Sequence, residues 1–588
     1  MKTRLSSAVL SVALWLCVLP PAGAADPAES ILASLRGATL ARPLSSLSSI
    51  HTSGKIEVLG IGGTAEEWDE LGPMRFTQSQ DAGALTGASG WDGKSAWSQD
   101  YAGLVTIDGG ERGRLQTIDQ AYLDNLGYLR ADRGGATVTY AGVKSDAGKS
   151  YDVLAVTPPQ GSEMDLWIDR QTHLIAKLTQ TISIVSVTTT FSNYRQVQGI
   201  TYPFEINTQT STGNSVSVSL ARLDVNEDVS PHIGVPSSTV SDYSISGGDS
   251  TTTPLEIVNN HLYLHVMLDG QGPYTFVLDS GGDYIVTPEV ASSLHAKTAG
   301  GMQLQGVGNA TEGAGFTHID SLTIGKATVR NQYMLVLPIA TGFGVAEGLR
   351  VDGMVGYQLL ARFVATINYA GSSLRLAMPS AGAASVPDAS AMPFYFDGTI
   401  PRVPIAINGI STTAEVDTGS RAGLTLSTPF LAAHPQIAAL AKTAPGVVGF
   451  GVGGPSYARL GRVPILQLGP FDVKNTVADF AVQTKGAFAD PFNPANIGGA
   501  IWRRFTVTFD YAHQQLLLAK DASFDEPLAY DRSGIFLIDA KGAYTVISVM
   551  PGTPAATSGL TKGDVILAVN GAPASNDSLA GLRTLLSG

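Results

Sequence analysis

Cysteine is almost absent from this 588-residue sequence, whose single thiol, Cys17, lies in an apolar N-terminal run. If that run is removed on export, the remaining chain has no cysteine, which excludes disulfides, thiol catalysis and thiolate metal ligands. Lipid attachment at Cys17 is not expected, because Leu16 occupies the position where a lipoprotein signal has a small residue.

Charged residues are also scarce. They make up 15% of the chain, and acidic residues outnumber basic ones to give a net charge of −13. Such a chain is a poor partner for nucleic acid or an anionic lipid surface, so neither is expected to bind. Beyond the N-terminus no apolar run reaches the roughly eighteen residues of a transmembrane helix, so the mature chain is predicted to have no membrane span.

The N-terminus has the order of features typical of a secretory signal peptide. Lys2 and Arg4 precede an apolar run at residues 8–19, and a Pro-Pro pair and Ala22-Gly23-Ala24 follow it. Twelve helical residues span only about 18 Å, which is too short to cross a ~30 Å hydrocarbon core as an anchor. Residues 1–24 are therefore predicted to be cleaved, and the protein is predicted to be exported to the periplasm or the extracellular space.

What the sequence does contain is glycine and proline, with 66 and 31 residues, and apolar residues that alternate with Ser and Thr. This pattern is typical of short strands and tight turns, and the length exceeds that of one domain, so a mainly β, multidomain protein is predicted. The predicted segments are a signal peptide (1–24), a β-rich N-terminal domain (25–235), a linker (236–253), lobe 1 (254–378), a second linker (379–391), lobe 2 (392–522) and a C-terminal domain (528–588).

Two tryptophan-containing segments of the N-terminal domain, residues 91–97 and 166–170, loosely resemble the curved half-barrel sheets of bacterial periplasmic lipid and lipoprotein carriers. The resemblance covers only a few turns. It implies either a hydrophobic cradle for a ligand or partner, or an accessory domain whose tryptophans fill its own core.

Lobes 1 and 2 form an internal repeat. Each has an apolar strand that ends in an Asp-Ser/Thr-Gly triplet, at Asp279 in lobe 1 and Asp417 in lobe 2, and each has a later Gly motif, at Gly356 and Gly498. Two similar halves of this kind indicate an ancestral dimer that was fused into one chain.

The triplets have a chemical rationale. The strand places a carboxylate on the floor of a cleft, the hydroxyl of Ser280 or Thr418 braces the loop, and the following glycine lets a second backbone approach closely. If the two aspartates face each other, they share one proton because two such close charges cannot both ionise. One carboxylate then acts as a general base on water while the other donates a proton.

On these motifs, residues 254–520 resemble a bacterial retropepsin-like aspartic protease with both lobes in one chain. The resemblance implies a double-lobed, all-β acid-protease fold and no cofactor. It departs from the family pattern at Glu415 and Asn496, where apolar residues are usual. The residues it implies are the catalytic Asp279 and Asp417, with Ser280, Gly281, Thr418, Gly419 and Ser420 in support.

The same resemblance implies two flaps, which are β-hairpins that close over the substrate. Glycine-rich stretches mark their predicted positions, although turns of any kind use glycine. The candidate flap residues are Gly306, Val307 and Gly308 in lobe 1, and Phe450, Gly451 and Val452 in lobe 2.

The C-terminal domain resembles a PDZ domain, on the Gly-Leu-x-x-Gly-Asp-x-Ile run at residues 559–566 and the Asn570-Gly571 turn. The resemblance implies a PDZ-like β-sandwich with short helices, whose carboxylate loop, Gly534, Ile535 and Phe536, would bind the C-terminus of a peptide ligand. The sequence ends before the final strand that PDZ domains normally have, so it leaves open whether this domain is complete and binds a ligand or serves as a scaffold.

A serine-protease interpretation has less support. Residues 279–282, Asp-Ser-Gly-Gly, echo the motif of chymotrypsin-like enzymes, but Leu278 stands where those enzymes have the glycine of the oxyanion hole. The histidines before Ser280 also lack the expected Ala-Ala-His setting.

Metal chemistry is not indicated either. His261 and His265 lie four residues apart in a strand-like stretch, about 13 Å from each other, which is too far to share an ion. No metal is therefore predicted in the site.

The sequence as a whole predicts an exported aspartic endopeptidase that acts on peptide or protein substrates. The alternative is a non-catalytic client-binding or quality-control protein built on a protease fold. The pH optimum stays open, because Ser420 could stabilise an ionised dyad whereas Gly282, its counterpart in lobe 1, has no side chain to do so.

Overall fold

A computed structural model describes residues 26–381, 388–528 and 530–587. The predicted signal peptide lies outside these residues. The described chain is mainly β, with large sheets and a C-terminal PDZ domain, which confirms the predicted fold class. None of the described helices combines the length and hydropathy needed to cross a membrane.

The N-terminal domain is an antiparallel sheet of sequential strands that curves around two helices. The sheet runs β6-β5-β4-β3-β2-β1-β13-β12-β11-β10-β9-β8-β7. Its elements are α1 (Pro27–Thr39), β1 (Ser49–Val58), β2 (Ile61–Glu70), β3 (Arg75–Asp81), β4 (Gly87–Trp91), β5 (Ala96–Gln99), β6 (Val105–Asp108), α2 (Glu111–Asp124), β7 (Thr137–Asp146), β8 (Lys149–Thr157), β9 (Met164–Asp169), β10 (Ile175–Ile182), β11 (Val185–Val197), β12 (Ile200–Thr210) and β13 (Ser215–Val225).

Helix α1 fills the concave side of this sheet. Asp26 caps its N-terminus by accepting a hydrogen bond from the Ala28 backbone N–H, and proline occupies the first helical position. The buried Leu32 and Leu35 then pack into a core that includes Leu154 and Leu166 of the sheet. The sheet closes over the helix because the helix supplies the apolar surface that a curved sheet needs on its inner face.

Lobe 1 contains the sheet β14-β22-β19-β23-β18-β17-β21-β20, with β16 paired to β17. Its elements are β14 (Tyr243–Ile245), β15 (Ser250–Pro254), β16 (Glu256–Val258), β17 (His261–Leu268), β18 (Gln271–Leu278), β19 (Ile285–Val286), α3 (Pro288–Ser293), β20 (Thr298–Leu304), β21 (Glu312–Ile324), β22 (Ala327–Val336), α4 (Val345–Glu347), β23 (Gly353–Val355), α5 (Tyr357–Leu360), β24 (Val364–Asn368) and β25 (Ser373–Ala377).

Lobe 2 repeats this plan. In each lobe the strand that leads to the Asp triplet pairs in parallel with the strand of the Gly motif: β18 with β23, and β29 with β34. Its elements are β26 (Ser390–Pro393), β27 (Tyr395–Asp397), β28 (Ile400–Ile407), β29 (Ile410–Val416), β30 (Leu424–Leu426), α6 (Thr428–Ala433), α7 (Pro435–Ala438), β31 (Gly446–Gly451), β32 (Gly454–Leu468), β33 (Phe471–Ala481), β34 (Ala495–Ile497), α8 (Gly499–Trp502), β35 (Phe505–Asp510) and β36 (Gln515–Lys520).

The two lobes share a six-stranded sheet in the order β15-β25-β24-β35-β36-β26. Strand β24 of lobe 1 pairs directly with β35 of lobe 2, so the pseudo-symmetric halves are joined by backbone hydrogen bonds as well as by the chain. The buried Phe505, Val507 and Phe509 of β35 belong to one core that spans both lobes.

The segments predicted as linkers take part in these sheets. Residues 236–253 include β14, which pairs with β22, and most of β15, which pairs with β25. The end of the second segment, 379–391, begins β26, which pairs with β36. Each of these strands lies at a sheet edge with one neighbour, and a polar Ser/Thr-rich sequence suits such a position.

The C-terminal domain consists of two small hairpins and two helices. Its elements are β37 (Ile535–Asp539), β38 (Tyr544–Val549), α9 (Pro554–Thr557), β39 (Ala568–Val569), β40 (Ala572–Pro573) and α10 (Leu579–Ser587). The β39–β40 turn has positive φ at both Asn570 and Gly571, the conformation that an Asn-Gly pair favours. Leu579 and Leu582 of α10 are buried against Leu537 and Val546 of the first hairpin.

The N-terminal domain contacts both lobes. Its strand β6 forms a parallel pairing with β27 of lobe 2 through Asp108 and Phe396. The hydroxyl of Tyr101 donates a hydrogen bond to Gln332 of lobe 1. The N-terminal domain therefore packs on the protease lobes as part of one structure.

Candidate active site

The two Asp triplets lie at equivalent points of the two lobes. The Asp279 N–H donates to the Val355 carbonyl over 2.9 Å, and the Asp417 N–H donates to the Ile497 carbonyl over 3.0 Å. In each lobe, this hydrogen bond joins the aspartate that follows the strand, β18 or β29, to the neighbouring Gly-motif strand, β23 or β34. The paired strands therefore fix where each carboxylate loop begins.

The Ser280 and Thr418 side chains brace the loops by reciprocal hydrogen bonds. The Ser280 N–H donates to Thr418 Oγ1, and the Thr418 N–H donates to Ser280 Oγ, each over 3.0 Å. The two hydroxyls donate onward to the Val416 and Leu278 carbonyls, over 2.6 and 2.8 Å. Both residues are buried, so this network locks one lobe to the other directly beneath the carboxylates.

Asp279 and Asp417 face each other across this network. A Cβ added at Gly281 would lie 3.2 Å from the Asp417 carboxyl carbon, and one at Gly419 would overlap the Asp279 carboxyl group. Glycine is required at both positions because each loop passes close to the opposite aspartate. The structure thus brings together the pair that the sequence singled out.

Burial raises the pKa of both aspartates. For Asp417, the charge of Asp279 and the hydrogen bond between the two carboxyl groups add to this rise. For Asp279, hydrogen bonds from the Gly281 N–H, from Asp417 and from the Gly419 N–H oppose it. Two carboxyl groups this close share one proton, because both cannot ionise together.

The two departures from the family pattern lie beside Asp417. The Asn496 amide donates to Asp417 Oδ2 over 2.6 Å and to Glu415 Oε2 over 3.3 Å. Arg402 binds the other oxygen of Glu415 over 3.0 Å. In place of apolar residues, lobe 2 thus has a buried polar network that contacts one carboxylate of the pair.

This network continues into the N-terminal domain. Arg402 also donates to Asp397, and Asp397 accepts a hydrogen bond from Arg112 of α2. Arg112 contacts Asp490 of lobe 2 as well. No local sequence pattern indicated Arg112, Asp397 or Arg402, because Arg112 contacts Asp397 from 285 positions away in the chain.

Ser420 and Gly282 do not contribute equally to their loops. Ser420 Oγ accepts a hydrogen bond from the Ala422 N–H over 3.3 Å, so this side chain braces its own loop. After Gly282, the half-buried Asp283 accepts a hydrogen bond from Gln358. Burial raises the pKa of Asp283, and the charge of Asp283 in turn contributes to the raised pKa of Asp279.

The predicted flaps are two hairpins whose tips touch. The lobe 1 hairpin is β20–β21 and the lobe 2 hairpin is β31–β32. The Gly308 N–H donates to the Val452 carbonyl over 3.0 Å, and a Cβ at Gly306 or Gly451 would meet the side chain of the opposing valine, Val452 or Val307, at 2.7 Å. These tips are closed against each other.

Phe450 is placed differently from the other candidate flap residues. It is directed to the C-terminal domain, where its ring lies 6.0 Å from that of Phe536. Phe536, predicted to be part of the carboxylate loop, is buried and stacks on the guanidinium groups of Arg421 and Arg583. Strand β31 of the lobe 2 hairpin, including Phe450 near its turn, is therefore part of the contact with the C-terminal domain.

Glu347 of α4 is the centre of that contact. It is 3% exposed, and its carboxylate binds Arg421 of lobe 2 and Arg583 of α10. Burial raises its pKa, but Arg421, His261 and Arg583 lower it more, so the net shift is downward. Glu347 thus links both lobes to the C-terminal domain.

The two histidines considered for metal binding have separate environments. His261 is buried, 3.7 Å from Glu347, and burial lowers its pKa to about 4. His265 is exposed on the same strand. Ser280 is likewise unsuited to nucleophilic attack, because its buried hydroxyl is occupied by the interlobe network.

Two family models match the chain. An aspartyl protease model matches residues 264–359, which include Asp279 and Gly356, and a PDZ domain model matches residues 545–588. The chain therefore contains an aspartyl protease domain and a C-terminal PDZ domain, as the sequence predicted. No curated protein matches the sequence.

Several solved structures are similar to about a third of the chain. A DUF1329 family protein from Desulfovibrio piger is 12% identical with a TM-score of 0.26, covering 34% of this chain and 95% of its own. A LolA superfamily protein from Nitrosomonas europaea is 14% identical with a TM-score of 0.25, covering 34% and 94%. A putative outer membrane lipoprotein-sorting protein domain from Vibrio parahaemolyticus is 12% identical with a TM-score of 0.23, covering 34% and 94%. TM-scores this low do not establish a shared function.

Proposed function

We propose that this chain is an exported aspartic endopeptidase. The observation that carries the proposal is the pairing of Asp279 and Asp417 on symmetric loops, each facing the glycine of the opposite triplet and braced from beneath by Ser280 and Thr418. The aspartyl protease family match over residues 264–359 supports the same class of reaction.

In the proposed mechanism the ionised Asp279 removes a proton from a water molecule, which attacks the scissile carbonyl carbon. Asp417 donates its proton to the carbonyl oxygen and so neutralises the developing oxyanion. The tetrahedral diol then collapses: Asp279 passes its proton to the departing amine, the C–N bond breaks, and a diol hydroxyl returns a proton to Asp417. The dyad ends in its starting protonation state.

Substrate entry requires the hairpin tips to separate, because Gly308 and Val452 are hydrogen-bonded in the closed form. Reclosure over a bound peptide would exclude water and hold the substrate in place. The PDZ domain supplies a second element suited to peptides, and we propose that it binds peptide or protein C-termini.

The test is cleavage of an unfolded model protein from about pH 3 to pH 9 by the mature chain and by folded Asp279→Asn and Asp417→Asn variants. Loss of cleavage in both variants is expected. Ser280→Ala is the matched control: it should reduce activity by weakening the loop network, whereas a serine enzyme would be inactive. Cleavage by either Asn variant at the wild-type rate would refute the dyad.

A second candidate is a client-binding protein that does not cleave. It is favoured by a cavity of about 760 Å³ that lies mainly in the N-terminal domain and extends to Tyr357 of lobe 1 and Thr399 of lobe 2. Its lining includes apolar side chains such as Leu126, Leu166 and Phe191. In this case the wild type would cleave nothing at any pH, and Asp417→Asn would retain full client affinity.

Export is the remaining part of the proposal. It predicts that the protein recovered from outside the cytoplasm begins at Ala25. N-terminal sequencing of that fraction tests it, and a mature protein that still begins at Met1 would contradict it.

A further inference from the structure

A group of three carboxylates in the N-terminal domain is unrelated to the dyad. Glu67 and Asp69 lie two residues apart on β2 and so face the same side of the sheet. Asp124 is the last residue of α2. Their carboxylate oxygens converge, since one from each residue lies within 4.8 Å of the others.

One member of this group is fully buried, and Glu67 and Asp124 are half-buried. Asp69 has no exposed surface, and neither of its carboxylate oxygens has a hydrogen bond within the described residues. Glu67 Oε1 and Asp124 Oδ2 are likewise unbonded. Across residues 26–381, 388–528 and 530–587, no ion pair with Lys, Arg or His reaches any of the three.

Two other acids with little exposed surface have cationic partners. Asp242 binds the fully buried Arg362, and Glu415 binds Arg402. An unpaired buried carboxylate is strongly disfavoured, and Asp124 is further disfavoured by the negative end of the helix dipole. The fully buried Asp69, which has no partner, must therefore be neutralised, either by a proton or by a bound cation.

The surroundings suit a cation. Glu67 and Asp124 also line the 760 Å³ cavity, which provides an entry path and room for water ligands. All three side chains offer oxygen, the ligand atom that hard divalent cations prefer. Oxygens about 2.4 Å from a common Ca²⁺ can be up to roughly 4.8 Å apart, which agrees with the observed spacing.

We propose that Glu67, Asp69 and Asp124 bind a hard divalent cation, with Ca²⁺ as the best fit, in the wall of the N-terminal cavity. The cation joins the C-terminal end of α2 to β2. Near the N-terminal end of α2, Arg112 contacts Asp397 and Asp490 of lobe 2, so the cation helps to hold this helix against lobe 2. Its role is to stabilise this domain, and the proposed cleavage reaction does not depend on it. The histidine and cysteine spacings that usually reveal metal sites could not indicate it, because all its ligands are carboxylates.

The test uses the full mature chain stripped with a chelator. Calorimetric titration with Ca²⁺ and with Mg²⁺ should show one saturable site, and Ca²⁺ should raise the unfolding temperature of the N-terminal domain. The isosteric Asp69→Asn and Glu67→Gln variants should each bind Ca²⁺ at least tenfold more weakly and lose the thermal shift.

The matched control is Asp224→Asn. Asp224 belongs to another cluster of possible ligands, with His51 and Glu227, but Arg222 already pairs with both carboxylates there. This variant should bind Ca²⁺ as tightly as the wild type.

Two results would overturn the proposal. One is no saturable binding by the wild type at millimolar Ca²⁺, or binding that Asp69→Asn leaves unchanged. The other is an unfolding temperature that Asp69→Asn raises by the same amount with and without metal. Such a rise would show that the three carboxylates bind protons and no metal ion. Both readouts are independent of peptide cleavage, so they stand whether or not the dyad is active.

Discussion

The Asn496 side-chain amide donates a hydrogen bond of 2.6 Å to Oδ2 of Asp417. The pattern that the sequence resembles has an apolar residue at this position, so this hydrogen-bond donor is a departure from that pattern. Through Glu415 and Arg402 the same amide is connected to Asp397 and to the N-terminal domain. A polar network thus supports Asp417. In lobe 1 the position equivalent to Asn496 is occupied by the apolar Met354.

Replacing Asn496 by Leu should shift the pH profile of cleavage upward. The Asn496 hydrogen bond lowers the pKa of Asp417, so its loss raises that pKa and extends the singly protonated dyad to higher pH. Because a buried hydrogen bond to a neutral carboxyl group contributes about 1 kcal/mol, kcat/KM should fall roughly fivefold near neutral pH.

Measurement of kcat/KM against pH checks this prediction, with Met354→Leu as the control at the equivalent position of lobe 1. Only the Asn496 variant should move the alkaline limb. A profile that keeps its shape and merely falls in height would show that Asn496 acts on folding and not on the dyad.

The wild-type enzyme should work near neutral pH as well as in acid. Burial and the neighbouring Asp279 raise the pKa of Asp417 to about 8, so Asp417 remains protonated at neutrality. Activity is lost as the pH rises through this value, because the dyad loses its shared proton. At the acid end it is lost as Asp279, whose pKa is raised above 3.8, takes up a second proton.

The profile of kcat/KM reports these ionisations in the free enzyme. An enzyme active only below about pH 4 would contradict the raised pKa of the pair.

Adding one methyl group at the tip of the lobe 1 hairpin should disrupt the contact between the two hairpin tips. A Cβ at Gly308 would overlap the backbone of Gly453. Gly308→Ala should therefore keep the tips apart, raise KM about tenfold by weakening closure over the substrate, and leave the unfolding temperature nearly unchanged.

Gly301→Ala is the matched control, because a Cβ there meets nothing within 4 Å on the same hairpin. Steady-state kinetics with a peptide substrate distinguishes the two variants. Equal KM values for both would show that tip contact plays no part in substrate binding.

The sequence predicted the parts of the site that local chemistry defines. The Asp-Ser/Thr-Gly triplets and the Gly motifs form within a few residues of a strand end, so their roles follow from residue types and order. Contacts between distant residues left no local pattern: Asn496 and Asp417 are 79 positions apart, and Arg112 meets Asp397 from another domain. The edge strands β14 and β15 were predicted as linker because they have one neighbour each and few apolar residues.

Removing the charge of Glu347 should loosen the PDZ domain from the protease. In Glu347→Gln the carboxylate that pairs with Arg421 and Arg583 is lost, and both guanidinium groups remain buried at the contact. Breaking a buried pair in this way costs ~3 kcal/mol or more. Amide hydrogen exchange of β37, which packs against α4, should accelerate accordingly.

The pH dependence of that exchange provides a second check. The pKa of Glu347 is lowered from 4.5, so its contribution to docking is complete above the pKa of the unfolded chain and is lost as the pH falls through the lower folded value. Exchange of β37 in the wild type should therefore accelerate in acid, while Glu347→Gln should already be fast at neutral pH. Glu256→Gln, an exposed acid of the same lobe, should behave as the wild type. If Glu347→Gln leaves exchange in β37 unchanged, the contact is held by the packing of Phe536 against Phe450 and Val447 and not by this carboxylate.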